Sequence, residues 1–274
     1  MSTFTHALST NNYGPAKFIV DASAANGTHT TIAAALSSAA SGDTIFIRPG
    51  TYTENLTLKA GVNLTAFDCD SFTPNVTIIG KATFTAAGTV SISGIRLQTN
   101  SDFFLAVTGS AASIVNLQQC YLNCSNNTGI SITASNTAAA VYAYYCFGNL
   151  GTTGIAFFAS SSTGFLDFEY CMFTNSGSSV TANTISAGFV NVFYSYFINP
   201  ITTSSTGLVV LRFSQFSLAN TTAITTAGTG ATNSAEFSSF ATGSASSISI
   251  GSGTTMLVSK CDINSSNTNV ITGA

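Results

Sequence analysis

Between Gly164 and Phe173 the chain reads GFLDFEYCMF, in which Leu166, Phe168 and Tyr170 alternate with Asp167 and Glu169. A period of two predicts a strand with Leu166, Phe168 and Tyr170 on a dry face and the two acids on a wet face. The phrase recurs. VSISGIRL ends at Leu97, VNLQQCYL at Leu122, VYAYYCFG at Gly148, VNVFYSYF at Phe197, VVLRFSQF at Phe216, NSAEFSSF at Phe240 and MLVSKCDI at Ile263. With Phe173 included, the end points lie 25, 26, 25, 24, 19, 24 and 23 residues apart. One strand phrase per period in the twenties predicts a stacked β-solenoid, with coils of about 24 residues.

The chain before the repeats reads differently. Residues 1–17 form an irregular lead, and residues 18–274 form one solenoid domain. Phe18–Val20 is a short strand and Asp21–His29 a turn-rich loop. TTIAAALSSAASG is the one good helix candidate, spanning about 31–40. Thr30 or Thr31 caps its start, Ile32, Ala35, Leu36 and Ala39 share a face, and Gly42 supplies the stop. A lone helix ahead of a solenoid plugs the apolar first coil. Regular coils run over about 44–274. Asp43–Arg48, Asn55–Lys59, Val62–Phe67 and Val76–Ile79 are strands, with a turn at Pro49-Gly50-Thr51.

Aligning the phrases sorts positions into columns. Leu117, Ala143, Phe168, Val192, Leu211, Ala235 and Val258 form an inward core column. Gln119, Tyr145, Tyr170, Tyr194, Phe213 and Phe237 form a ladder beside the turn, at a spacing of about 4.8 Å that suits stacked rings. Cys120, Cys146, Cys171 and Cys261 share a column with Ser195, Ser214 and Ser238, so a small residue is wanted there. Neighbouring thiols stand near the short end of disulfide geometry. No His and no Cys-x-x-Cys accompanies them, so no metal is expected. Two outward columns remain: Asn116, Tyr142, Asp167, Asn191, Val210, Ser234, and Gln118, Tyr144, Glu169, Phe193, Arg212, Glu236. From them Tyr142, Tyr144, Asp167, Glu169, Phe193, Arg212 and Glu236 make a strip suited to glycan binding or to an interface. Asp167 and Glu169, at i and i+2, stand roughly 6.5–7 Å apart, near the lower limit for an inverting acid/base pair.

Composition narrows the classes. Only 6% of the 274 residues are charged, while 45% are hydrophobic and 21 are Phe, enough to fill a core. No apolar run reaches the roughly 20 residues of a spanning helix, and the once-per-period aromatics differ from the girdles of a membrane barrel, so no membrane insertion is expected. A net charge of −3 offers no footprint for nucleic acid. The two histidines, His6 and His29, lie in the lead and first loop, so no Ser/His/Asp triad is visible. No cofactor is implied, and the first residues do not read as a signal peptide.

The run TIAAALSSAASGDTIFIRPGTYTENLTLKAGVNLTAF resembles the opening of pectin methylesterase- and pectate-lyase-like right-handed parallel β-helices. The matching residues are Thr31, Ile32, Ala35, Gly42, Asp43, Thr44, Ile45, Pro49, Gly50, Tyr52, Glu54, Leu58 and Gly61. The resemblance implies an all-β, single-stranded right-handed parallel β-helix with a short N-terminal capping helix. It does not extend to the esterase machinery: Gln-Ala-Val, Gln-Asp-Thr, Asp-Phe-Ile-Phe-Gly and Gly-Arg-Pro-Trp are missing, and the chain has no Trp. The same fold also builds phage tailspikes and surface fibres. The expected function is therefore a non-catalytic, adhesive segment of a viral tail fibre or tailspike, a homotrimer on the virion or a cell surface that contacts surface polysaccharide. A polysaccharide-degrading β-helix, hydrolase or lyase, is the alternative, and a bacterial surface adhesin the second.

After Ile263 the chain reads NSSNTNVITGA, with no helix or charged strand to cover the last coil. An uncapped solenoid end invites association. The sequence therefore leads one to expect either a longer native protein or a last coil buried by a partner chain.

Overall fold

The computed structural model describes residues 18–273 apart from segments 69–72, 100–102, 109–111, 125–127, 133–138, 150–154, 160–163, 175–182, 186–187, 198–199, 204–207, 219–221, 227–231, 244–247 and 266–270. The expected lead at 1–17 and Cys69 lie outside them. Among the described residues, three parallel sheets wrap one core as a right-handed parallel β-helix, with one short helix. Sheet 1 has eleven strands, from Phe18–Val20 and Thr44–Ile47 through Ala140–Tyr144, Phe165–Glu169, Phe189–Phe193, Leu208–Arg212 and Thr232–Glu236 to Thr255–Ser259. Sheet 2 runs from Gly50–Thr53 to Asp262–Ser265 and sheet 3 from Leu56–Thr57 to Ile271–Gly273, each with ten strands. No helix among the described residues is long and apolar enough to cross a membrane, a statement that does not bear on β-barrels.

The recurring phrase is two strands around a corner, not one strand. In the phrase at 164–173, sheet 1 ends at Glu169 and sheet 2 begins at Met172. Between them Tyr170 takes φ 54°, as Gln119, Tyr145, Tyr194, Phe213, Phe237 and Lys260 do in their coils. This left-handed turn swings Tyr170 out of the alternation, so it does not share the dry face of Leu166 and Phe168. It is 42% exposed, whereas those two are fully buried. A left-handed conformation costs a bulky residue about 1–2 kcal/mol. Ring stacking offsets part of it: Tyr145, Tyr170, Tyr194, Phe213 and Phe237 stack in sequence at 5.0, 5.2, 4.8 and 4.9 Å between centroids.

The small residue after the turn is a hydrogen-bond donor, which explains why Cys and Ser interchange there. Cys171 Sγ donates to Glu169 O at 3.4 Å and to Ala143 O of the coil below at 3.3 Å. Ser195 Oγ bonds Phe193 O at 2.9 Å and Phe168 O at 3.3 Å, and Ser214 repeats the pattern with Arg212 and Val192. Each such bond is worth about 0.5–1.5 kcal/mol net. The thiols of Cys120, Cys146, Cys171 and Cys261 are free. Burial pushes those of Cys120 and Cys146 well above the ordinary thiol range, so they are poor nucleophiles.

Inside, Phe197, Phe216 and Phe240 stack at 5.7 and 5.6 Å, while Phe168 meets Phe173 edge-on at 5.6 Å. Gly148 occupies the same sheet 2 column because a Cβ there would lie 2.6 Å from the Phe173 ring. The core column holds through Ala235, and Val258 is only half-buried, as are Met256 and Ile263 beside it.

The opening signature is a clasp. The helix spans Ile32–Ser38, and Thr31 caps it by accepting from Ala34 N at 3.2 Å. The Glu54 carboxylate accepts from Ile32 N at 2.9 Å and Ala33 N at 2.8 Å, satisfying two free helix N–H groups. Tyr52 donates its hydroxyl to Arg48 O at 3.0 Å. The helix stops earlier than Gly42: Ala39 is already extended, and Gly42, at φ 95°, lies in the following turn with its N–H on Gly61 O at 2.8 Å. Gly50 and Thr51, read as part of a turn at 49–51, instead open the first strand of sheet 2, Gly50–Thr53. Glu54→Ala is expected to lower stability by about 1–2 kcal/mol, with Glu54→Gln between it and wild type, as read by urea unfolding.

Candidate functional site

The corners keep the coils in register, so the outward columns of sheet 1 are true columns. Asn116, Tyr142, Asp167, Asn191, Val210 and Ser234 pair in sequence, as do Gln118, Tyr144, Glu169, Phe193, Arg212 and Glu236. All seven residues of the expected strip therefore lie on one face.

Asp167 faces outward yet is only 7% exposed. Tyr142 stands across from it on one neighbouring strand and Asn191 on the other, with Phe165 and Glu169 at i−2 and i+2. Asn191 Nδ2 donates to Asp167 Oδ1 at 2.8 Å. Burial outweighs that bond and raises the Asp167 carboxyl above the ordinary range. Glu169 is also raised, first by burial and then by the charge of Asp167. Tyr144, across from Glu169, is raised by its burial and by the two acids.

Aromatic rings flank the acids. Tyr142 and Tyr144 lie parallel at 6.4 Å, and Tyr142 meets Phe165 at 5.5 Å. Phe165 stacks on Phe189 at 5.1 Å. These two were not among the sequence-derived candidates, although they precede the paired positions by two residues, the spacing that marks the same face. Phe193 packs edge-on against Tyr194 at 4.4 Å and Phe213 at 5.8 Å. Phe193 and Val210 are half-buried. The rings of the corner ladder, by contrast, are exposed by 40 to 54%. A furrow of about 470 Å³ separates the ladder from Met172, Tyr196 and Gln215 on sheet 2. Farther along the strip, Arg212 Nε lies 3.8 Å from Glu236 Oε2. His29 stays at the N-terminal cap, where Nε2 lies 3.3 Å from Ser38 Oγ and Nδ1 2.9 Å from Thr28 Oγ1.

No family model and no curated protein sequence matches the chain. Similar solved structures are pectin methylesterases. The carrot enzyme has a TM-score of 0.55 at 13% identity, covering 94% of this chain and 85% of that one. PemA of Erwinia chrysanthemi has a TM-score of 0.49 at 14% identity, covering 89% and 82%. At such identity the likeness speaks for the fold alone. The expectation of a non-catalytic viral fibre is withdrawn on this finding, since the solved structures that share the fold are pectin methylesterases.

The raised Asp167 carboxyl has a consequence for stability. The folded chain holds this proton more tightly than the unfolded chain. Stability therefore falls as pH rises from the ordinary carboxylate range through the raised folded value. Asp167→Asn, which can still accept from Asn191, is expected to melt higher than wild type at pH 7. The gap should close at pH 3, as followed by thermal denaturation monitored by circular dichroism.

Proposed function

We propose that the chain is a polysaccharide-modifying β-helix whose substrate lies along the outer face of sheet 1, with Asp167 and Glu169 as its acid/base pair. The observation that carries this reading is that two neighbouring carboxyls are both raised by burial beside a bank of rings. Enclosed acids with raised values are suited to proton transfer near neutral pH. Asp167, the more enclosed and held by Asn191, keeps its proton and delivers it to the leaving oxygen. Glu169, half-exposed, takes a proton from water as that water attacks the sugar carbon and the glycosidic bond breaks. Their separation of roughly 6.5–7 Å suits an inverting hydrolysis. Tyr142, Tyr144 and Phe193 supply rings for sugar faces.

Release of reducing ends from polysaccharides tests this. Asp167→Asn and Glu169→Gln are each expected to lower kcat by about 10²–10⁴-fold. Tyr144→Ala should act mainly on KM. Activity unchanged in Asp167→Asn, or a wild-type chain that cleaves none of a broad polysaccharide panel, overturns the reading.

Assembly as a homotrimer draws its support from the exposed corner ladder, since Phe193 and Val210 are covered. Sedimentation velocity at micromolar concentration is expected to give a trimer, and a monomer removes the claim.

A further inference from the structure

The charges and hydrogen-bonding capacity of the strip go further and define a substrate class, an inference that rests on the strip being the glycan site. At its centre an ionised Glu169 accepts only, and one N–H of Asn191 is held by Asp167. Three carboxylates, Asp167, Glu169 and Glu236, stand on this face, and its one cation among the described residues, Arg212, is engaged by Glu236.

No other described cation stands in either outward column. Arg48 lies 3.9 Å from Asp21 and over the Phe67 ring, and Lys59 bonds Ala39 O. Lys81 sits over Phe103, Arg96 over Tyr121 and Lys260 over Phe237. An acidic sugar laid over the strip would bring like charge to the Glu169 carboxylate in a half-buried setting, where the one cation of the face, Arg212, is already engaged by Glu236. A sugar hydroxyl or ammonium supplies a donor to the Glu169 carboxylate, and the flanking Tyr142 and Tyr144 rings accept either a sugar face or a cation.

We propose that the strip selects polysaccharides free of acidic groups, whether neutral hexose chains or amino-sugar chains, and rejects polyuronates. The site thereby differs in charge preference from one built for an acidic glycan on the same fold.

Affinity electrophoresis of the full chain at pH 6 and low salt tests this, with gels containing neutral glucan, mannan, galactan or xylan, chitosan, polygalacturonate or alginate. At least one carboxylate-free polymer should retard the wild-type protein, and both polyuronates should bind at least about tenfold more weakly. Added salt should weaken retardation by chitosan and leave retardation by a neutral polymer unchanged, which tells an ammonium ligand from a hydroxyl ligand. The Asp167→Asn/Glu169→Gln double variant should narrow the gap between polyuronate and neutral polymer. A polyuronate that retards the wild type as well as the best carboxylate-free polymer overturns the inference, as does an unchanged gap in the double variant. Retardation by none of the polymers overturns instead the glycan reading on which the inference stands.

Discussion

Coil-to-coil register at the corner between sheets 1 and 2 is the constraint on which the rest depends. A left-handed residue turns the chain, and the Cys or Ser after it ties that turn both to its own strand and to the coil below. Side chains in a strand alternate faces, so a slip of one residue would carry Asp167 and Glu169 into the core and bring Leu166 and Phe168 out. The corner donors resist that slip in coil after coil. Cys and Ser serve alike because the position requires a small donor, not a thiol. The outer strip is thus a product of the corner as much as of its own residues.

The strip differs energetically from everything around it. Inward columns of Val, Leu and Phe gain from burial. Asp167 is nearly as enclosed as they are, yet its charged form is disfavoured there, and one hydrogen bond from Asn191 does not compensate. A surface built only for stability would place Asn or Thr at this position. Burial of Asp167 beside aromatic rings, with Glu169 next to it, costs stability, and the proposed acid/base role draws on that cost. The corner ladder is the opposite case. Its rings are exposed, but they face each other at about 5 Å, so their faces serve stacking and only their edges meet solvent.

Much of this was legible in the sequence, for identifiable reasons. Stacking repeats identical geometry, so a shared period put Leu117, Ala143, Phe168 and Val192 in one column and Tyr144, Glu169, Phe193 and Arg212 in another, and these pairings hold. Alternation alone could not reveal the corner. Tyr170 continues the apolar alternation on paper, and only its left-handed backbone removes it from the core. Beyond its first strand, Leu56–Thr57 within the expected Asn55–Lys59, sheet 3 was not recognised, because strands such as Ile201–Thr203 and Ile224–Thr226 are three residues long, too short for a period to show. The enclosure of Asp167 was hidden for a different reason. It comes from residues 24 and 25 positions away that only stacking brings together. Glu54 could be matched to a family opening, but its role became clear only when its carboxylate was found on the helix N–H groups.

The most direct measurement is a crystal structure of the full chain with a bound oligosaccharide from a polysaccharide that it cleaves, using Asp167→Asn to hold the substrate intact. The account predicts a sugar chain lying along the outer face of sheet 1, a glycosidic oxygen within hydrogen-bond distance of residue 167, and rings of Tyr142, Tyr144 or Phe193 against sugar faces. An oligosaccharide seated instead in the furrow beside the corner ladder, with the strip empty, would contradict it.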